Sequence, residues 1–133
     1  MAPRGFREPV IRDRHLPEQV PIDAYGAGGF RFADMSHRGS ILCLPSGIHG
    51  WDAVEPADLV IPAFDQVVAE AGQIRMLLVG TGEYLVPLPE ELRWHLRAAG
   101  IGVDVMSTGA AVHTYNILLD ERRPVAAALL AAS

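Results

Sequence analysis

Along the first half of the chain, short apolar runs alternate with turn formers: Gly26, Gly28, Gly29, Gly39, Pro45, Gly47 and Gly50 punctuate residues 20–54. That spacing predicts a β-meander, with strands near 21–25, 29–33, 40–44 and 49–54. The run Ser40-Ile41-Leu42-Cys43-Leu44 is apolar without alternation. Such a strand is covered on both faces, which puts Cys43 in the core.

Beyond residue 54 the period lengthens. Phe64, Val67, Val68 and Ala71 fall at i, i+3, i+4 and i+7, one face of a helix that Pro62 opens and Gly72 closes. Ile74-Arg75-Met76-Leu77-Leu78-Val79 then reads as a buried strand ending at Gly80-Thr81-Gly82. The next helix has every signal: Pro89 at its first position, Glu90 and Glu91 at the positive end, Leu92, Leu96 and Ala99 on one face, and Gly100 as the stop. Val103-Asp104-Val105-Met106 is a strand, Thr108 reads as the N-cap of a helix to about Leu119, and 125–130 is a last strand. An opening meander followed by alternating helices and strands predicts an α/β fold.

Composition narrows this to one domain, since 133 residues at 50% hydrophobic suffice for a single core. We expect residues 1–19, with mixed charges and no long apolar stretch, to be a mobile N-terminal arm, and 20–133 to be the globular domain. A formal charge of −5 argues against nucleic acid as a partner. All 11 basic residues are Arg, which excludes lysine-dependent phosphate loops, Schiff bases and Ser-Lys dyads. Cys43 is the single cysteine, so no internal disulfide or cysteine-based zinc site is expected, and the chain reads as cytoplasmic. No run is long enough to be an integral membrane segment. His15, His37, His49, His95 and His113 lack metal-ligand spacing. No metal and no cofactor is expected.

Candidate chemistry concentrates where strands end. Gly80, Thr81 and Gly82 follow a buried strand, at the place where open α/β sheets bind ligands. A tight turn needing positive φ is the alternative. The helix start at Thr108 offers unpaired N–H groups to an anion, or is simply capped. With Asn116, and with Arg123 to fork onto a carboxylate or phosphate, these residues are the ligand-binding candidates. His49 and Trp51 are candidates for a protein-recognition pair, against the alternative of core or edge packing. No catalytic residue stands out: Ser46 lacks the Gly-x-Ser-x-Gly elbow, and Glu90-Glu91 and Asp120-Glu121 suit helix ends.

The run from Met106 to Arg123, together with Gly80-Thr81-Gly82 and the segment 25–51, resembles a family of small domains of unknown function. That family includes the mitochondrial respiratory complex I assembly factor and the adipogenesis-associated domain proteins. Ala111, Thr114-Tyr115-Asn116, Glu121 and Arg123 fit its motif; Val112 stands where cysteine is frequent and Arg122 where glycine is usual. A thiol mechanism at position 112 is therefore closed to this chain, and a left-handed Arg122 would cost about 1 kcal/mol relative to glycine. The resemblance implies a three-layer β+α/β/α domain. It also implies a non-catalytic accessory or assembly-type protein that binds other proteins, such as respiratory or inner-membrane complex subunits, from a peripheral position at the inner membrane. The alternative is a small-anion binder or weak enzyme using the sheet-end pocket.

Overall fold

The computed structural model describes residues 14–133, the side chains of Arg14 and His15 excepted. Among these residues nine strands follow in chain order: β1 (Arg14–Leu16), β2 (Ala24–Gly26), β3 (Gly29–Phe32), β4 (Met35–Arg38), β5 (Ser40–Leu44), β6 (Gly47–Trp51), β7 (Met76–Gly80), β8 (Gly102–Met106) and β9 (Val125–Leu129). The α-helices are α1 (Asp65–Ala69), α2 (Glu90–Ala98) and α3 (Thr108–Asp120). Six strands build the central sheet in the order β1-β6-β5-β9-β7-β8, and β2-β3-β4 form a separate small sheet. Within the central sheet β7 runs parallel to β8 and β9, whereas β9 meets β5 antiparallel.

The sheet is buried on both faces, which explains why its inner strands do not alternate. On β5, Leu42 and Leu44 point into one core and Ile41 and Cys43 into the other. The first core packs the sheet against α1 and α2 through Phe64, Val67, Leu92 and Leu96. The second packs it against α3 and the small sheet through Ala111, Tyr115, Phe30 and Phe32. The molecule is therefore an α/β domain of three layers: small sheet plus α3, central sheet, and the α1–α2 layer. On β9 three successive alanines, Ala126, Ala127 and Ala128, are fully buried; their small side chains let both outer layers approach the middle of the sheet.

Local chemistry departs from expectation in three places. The helix expected over 62–72 is broken: 3-10 turns at Ile61–Phe64 and Ala71–Gln73 flank the five-residue α1. The β-branched pair Val67-Val68 is a weak helix former, so packing of Phe64 and Val67 holds this segment more than propensity does. The small sheet contains a strand not expected from sequence, β4, joined to β3 by Ala33-Asp34, both at positive φ. Of the expected arm 1–19, residues 1–13 lie outside the described residues, while Arg14–Leu16 pairs with β6 and the Gln19 amide donates to the Val125 carbonyl at 2.8 Å.

Candidate functional site

The sheet end chosen from sequence is a hydrogen-bonded brace. Thr108 is fully buried; its hydroxyl donates to the Leu130 carbonyl at 2.7 Å and accepts from the Gly82 N–H at 2.9 Å. It is the first residue of α3, and the N-cap is Ser107, whose hydroxyl accepts from the Ala110 N–H at 3.3 Å. Ser107 and Thr108 both suit a cap by residue type, and the tertiary partners of the Thr108 hydroxyl leave that role to Ser107 instead of the expected Thr108. Gly82 has φ +99, as its turn requires, but Gly80 is needed for a different reason. A Cβ there would stand 2.9 Å from the Thr108 Cα, so glycine lets α3 start directly against β7.

Thr81 completes the brace. Its hydroxyl donates to the Tyr84 carbonyl at 2.6 Å and accepts from the Val86 N–H at 2.9 Å, which fixes the loop leading to α2. The side chains of Tyr84 and Leu85 are consequently turned outward, 74% and 56% exposed. Trp94, on α2 immediately beyond this loop, is 61% exposed. Polar motifs in the sequence do not point to these three. The available signal was Trp94, which lies off the Leu92-Leu96 face of an otherwise well-patterned amphipathic helix.

Asn116 and Arg123 do not join the brace. The Asn116 amide accepts from the Ile22 N–H and donates to the Ile22 carbonyl, both at 2.9 Å, mimicking a strand partner for the chain entering the small sheet. Its neighbour Tyr115 donates to the Val20 carbonyl at 2.9 Å. The Tyr-Asn pair thus straps residues 20–22 onto α3. Asn116 and His113 line a groove of about 630 Å³ with Asp23, Tyr25 and Gly109. Arg123 lies past the other end of α3, roughly 20 Å from Thr108 at 1.5 Å per residue, and its side chain, 63% exposed, pairs with Glu121 at 3.5 Å. One small anion cannot reach Thr108 and Arg123 together.

The end of α3 tests a sequence expectation directly. Arg122 sits at φ +60, its N–H bonded to the Leu119 carbonyl at 2.9 Å and that of Arg123 to the Leu118 carbonyl at 3.0 Å, a Schellman closure with arginine in the glycine position. Arg122→Gly should raise stability by up to about 1 kcal/mol, because removing the Cβ relieves the left-handed strain. A chemical denaturation midpoint at or below that of the wild type would contradict this.

Cys43 lies in the second core with no exposed surface, and burial pushes its thiol up from 9.0 to about 12, the adjacent Tyr115 hydroxyl partly opposing that rise. A thiol reagent should label native protein only as fast as it opens. The raised value also has a sign for stability: the unfolded thiol ionises from about pH 9 while the folded one does not. Its contribution is full below that pH and declines as pH rises towards 12. Cys43→Ala should flatten this alkaline decline; an unchanged slope would show that the thiol does not cause it.

His49 and Trp51 are not an exposed recognition pair. His49 is 5% exposed, and Trp51 is half-buried, donating its indole N–H to the Ala63 carbonyl at 2.9 Å and meeting Phe64 edge-on at 5.4 Å. Both belong to packing: two residues apart on β6, they share the face of the sheet turned to the α1 layer, where Gln66 meets His49 Nδ1 at 3.1 Å. His49 Nε2 lies 2.7 Å from the Ser46 hydroxyl, which donates to Glu70 Oε2 at 2.6 Å; Glu70 Oε1 accepts from the Ser46 N–H at 2.9 Å. With the serine proton committed to Glu70, Nε2 must be the donor to Ser46. The histidine is oriented to hold the β5–β6 turn, opposite to a base that would activate the serine.

Among the described residues no group of three or more His, Cys, Asp or Glu is placed to hold a metal ion. None of their helices is long and apolar enough to cross a membrane.

Comparison with known proteins places this architecture. The chain is 40% identical over 111 residues to an uncharacterized protein of Rhodobacter capsulatus, covering 84% of each. It is 29% identical over 118 residues to NADH dehydrogenase [ubiquinone] 1 alpha subcomplex assembly factor 3 of Xenopus tropicalis, covering 89% of this chain but 64% of the relative, less than two thirds of its length. The crystal structure of a Bartonella henselae protein described as an outer membrane protein superposes with a TM-score of 0.86 at 56% identity, over 90% of this chain and 100% of that one. The model of the family described as protein of unknown function (DUF498/DUF598) matches residues 22–130. With nearly the whole folded region matched, the chain belongs to the DUF498/DUF598 family.

Proposed function

We propose that this protein is a non-catalytic assembly-type factor that binds other proteins, subunits of a respiratory or inner-membrane complex among them, from a peripheral position. The observation that carries the reading is the connection between β7 and α2, where a fixed loop and the helix behind it hold Tyr84, Leu85 and Trp94 out to solvent. Tyrosine and tryptophan dominate the energetics of protein interfaces, and a preordered loop loses little entropy when a partner docks. The assembly-factor name carried by relatives sharing most of this chain supports the class of role. The geometry of Thr108 and Arg123 weighs against the alternative of one anion site shared by the sequence-chosen residues.

Affinity purification from the native host tests this. Subunits of a membrane complex should accompany the wild-type chain and be depleted when Tyr84→Ala, Leu85→Ala and Trp94→Ala are combined. Failure to enrich any such subunit, or equal recovery with the triple variant, would refute the reading.

A further inference from the structure

Helix α2 presents Trp94 to solvent with Arg97 against it, the guanidinium carbon 5.7 Å from the ring centroid. Arg93 and Arg97 are both exposed, and with Leu88, Glu90 and Trp94 they line a groove of about 330 Å³. The groove's lining is net positive where the chain as a whole is net negative. Only 11 basic residues oppose 16 acidic ones overall, yet along this groove two arginines face one glutamate. The arginine resting on the indole keeps its forked N–H groups available at the groove's edge, while Trp94 supplies the exposed apolar surface.

We infer that this groove is the docking site for an acidic segment of the protein partner, a stretch in which Asp or Glu carboxylates flank an apolar side chain. The inference rests on the protein-binding reading above and gives the partner its chemistry. Charge complementarity is what favours that occupant: carboxylates accept bidentate bonds from Arg93 and Arg97, while an aliphatic or aromatic residue covers Trp94. A basic segment would meet two like charges.

Site-specific photo-crosslinking in the native host tests it. Ala98→benzoylphenylalanine places the probe one turn beyond Trp94 and leaves the groove intact; Ile117→benzoylphenylalanine, on α3 across the sheet, is the control. The expected product at position 98 is a protein segment rich in Asp and Glu. Its yield should fall by about tenfold or more in Arg93→Glu/Arg97→Glu, and in the same direction in the milder Arg93→Gln/Arg97→Gln. Unchanged thermal melting of these exposed-site variants shows that the fold survives.

A crosslinked segment that is neutral or basic, a yield indifferent to the arginines, or a product with anionic lipid or with the chain itself would overturn the inference. Capture at position 117 but not at 98 would overturn it while leaving protein binding intact. Absence of protein products at both positions would sink both readings.

Discussion

Replacing Leu96 with alanine is expected to destabilise the domain by about 2–5 kcal/mol, because the lost methyl groups leave a cavity that a packed layer cannot close. Leu96 is fully buried on the inner face of α2, where it joins Leu77, Val79 and Leu92 in the first core. Small domains have only about 5–15 kcal/mol in hand, so this single truncation removes a large share. In urea the midpoint should fall by about 1–3 M at an unchanged slope. Trp94→Ala, on the outer face of the same helix, should alter stability by about 0.5 kcal/mol or less. If the two variants melted alike, the orientation of α2 would be wrong.

Thr108→Val should cost nearly as much for a different reason. Valine keeps the shape of threonine but leaves the Leu130 carbonyl and the Gly82 N–H without the partner each has now. A buried group so stranded costs about 1–3 kcal/mol, and this applies to the Leu130 carbonyl, while the Gly82 N–H, partly exposed, adds less. Thr108→Ser, which retains the hydroxyl, should recover most of the loss. Equal stability of the valine variant and the wild type would mean that these two bonds contribute nothing.

Such residues show where sequence reading succeeds and where it stops. Helix α2 is legible because its signals are local: Pro89, the two glutamates, Leu92, Leu96 and Gly100 lie within twelve positions of one another. The three layers are legible because the family motif and the change of hydrophobic period agree. The turn before β4 is not, since Ala33 and Asp34 adopt the left-handed conformation that asparagine and glycine usually announce. At the candidate site, residue types can be read but partners cannot. Thr108 is hydroxyl-bearing and next to a helix start, which suits a cap; its acceptor is Leu130, which only the closed sheet brings near. Asn116 looks free to meet a ligand until Ile22, 94 residues earlier, occupies both ends of its amide. Tyr84 and Leu85 carry no such local signal, and their exposure is a property of the loop that Thr81 fixes.

The position of β9 has a consequence for biosynthesis. It lies between β5 and β7, joining the antiparallel half of the central sheet to the parallel half, although it is the last of the described strands to be made. A nascent chain emerging from the ribosome can form the small sheet and the β5–β6 hairpin early, but until residue 129 is clear, β5 has an open edge beside Ile41 and Cys43. Unpaired apolar edges of that kind invite pairing with other chains. Ribosomes stalled before this strand should therefore carry a chain that chaperones hold, and release from them should coincide with insertion of Ala126-Ala127-Ala128 into the gap.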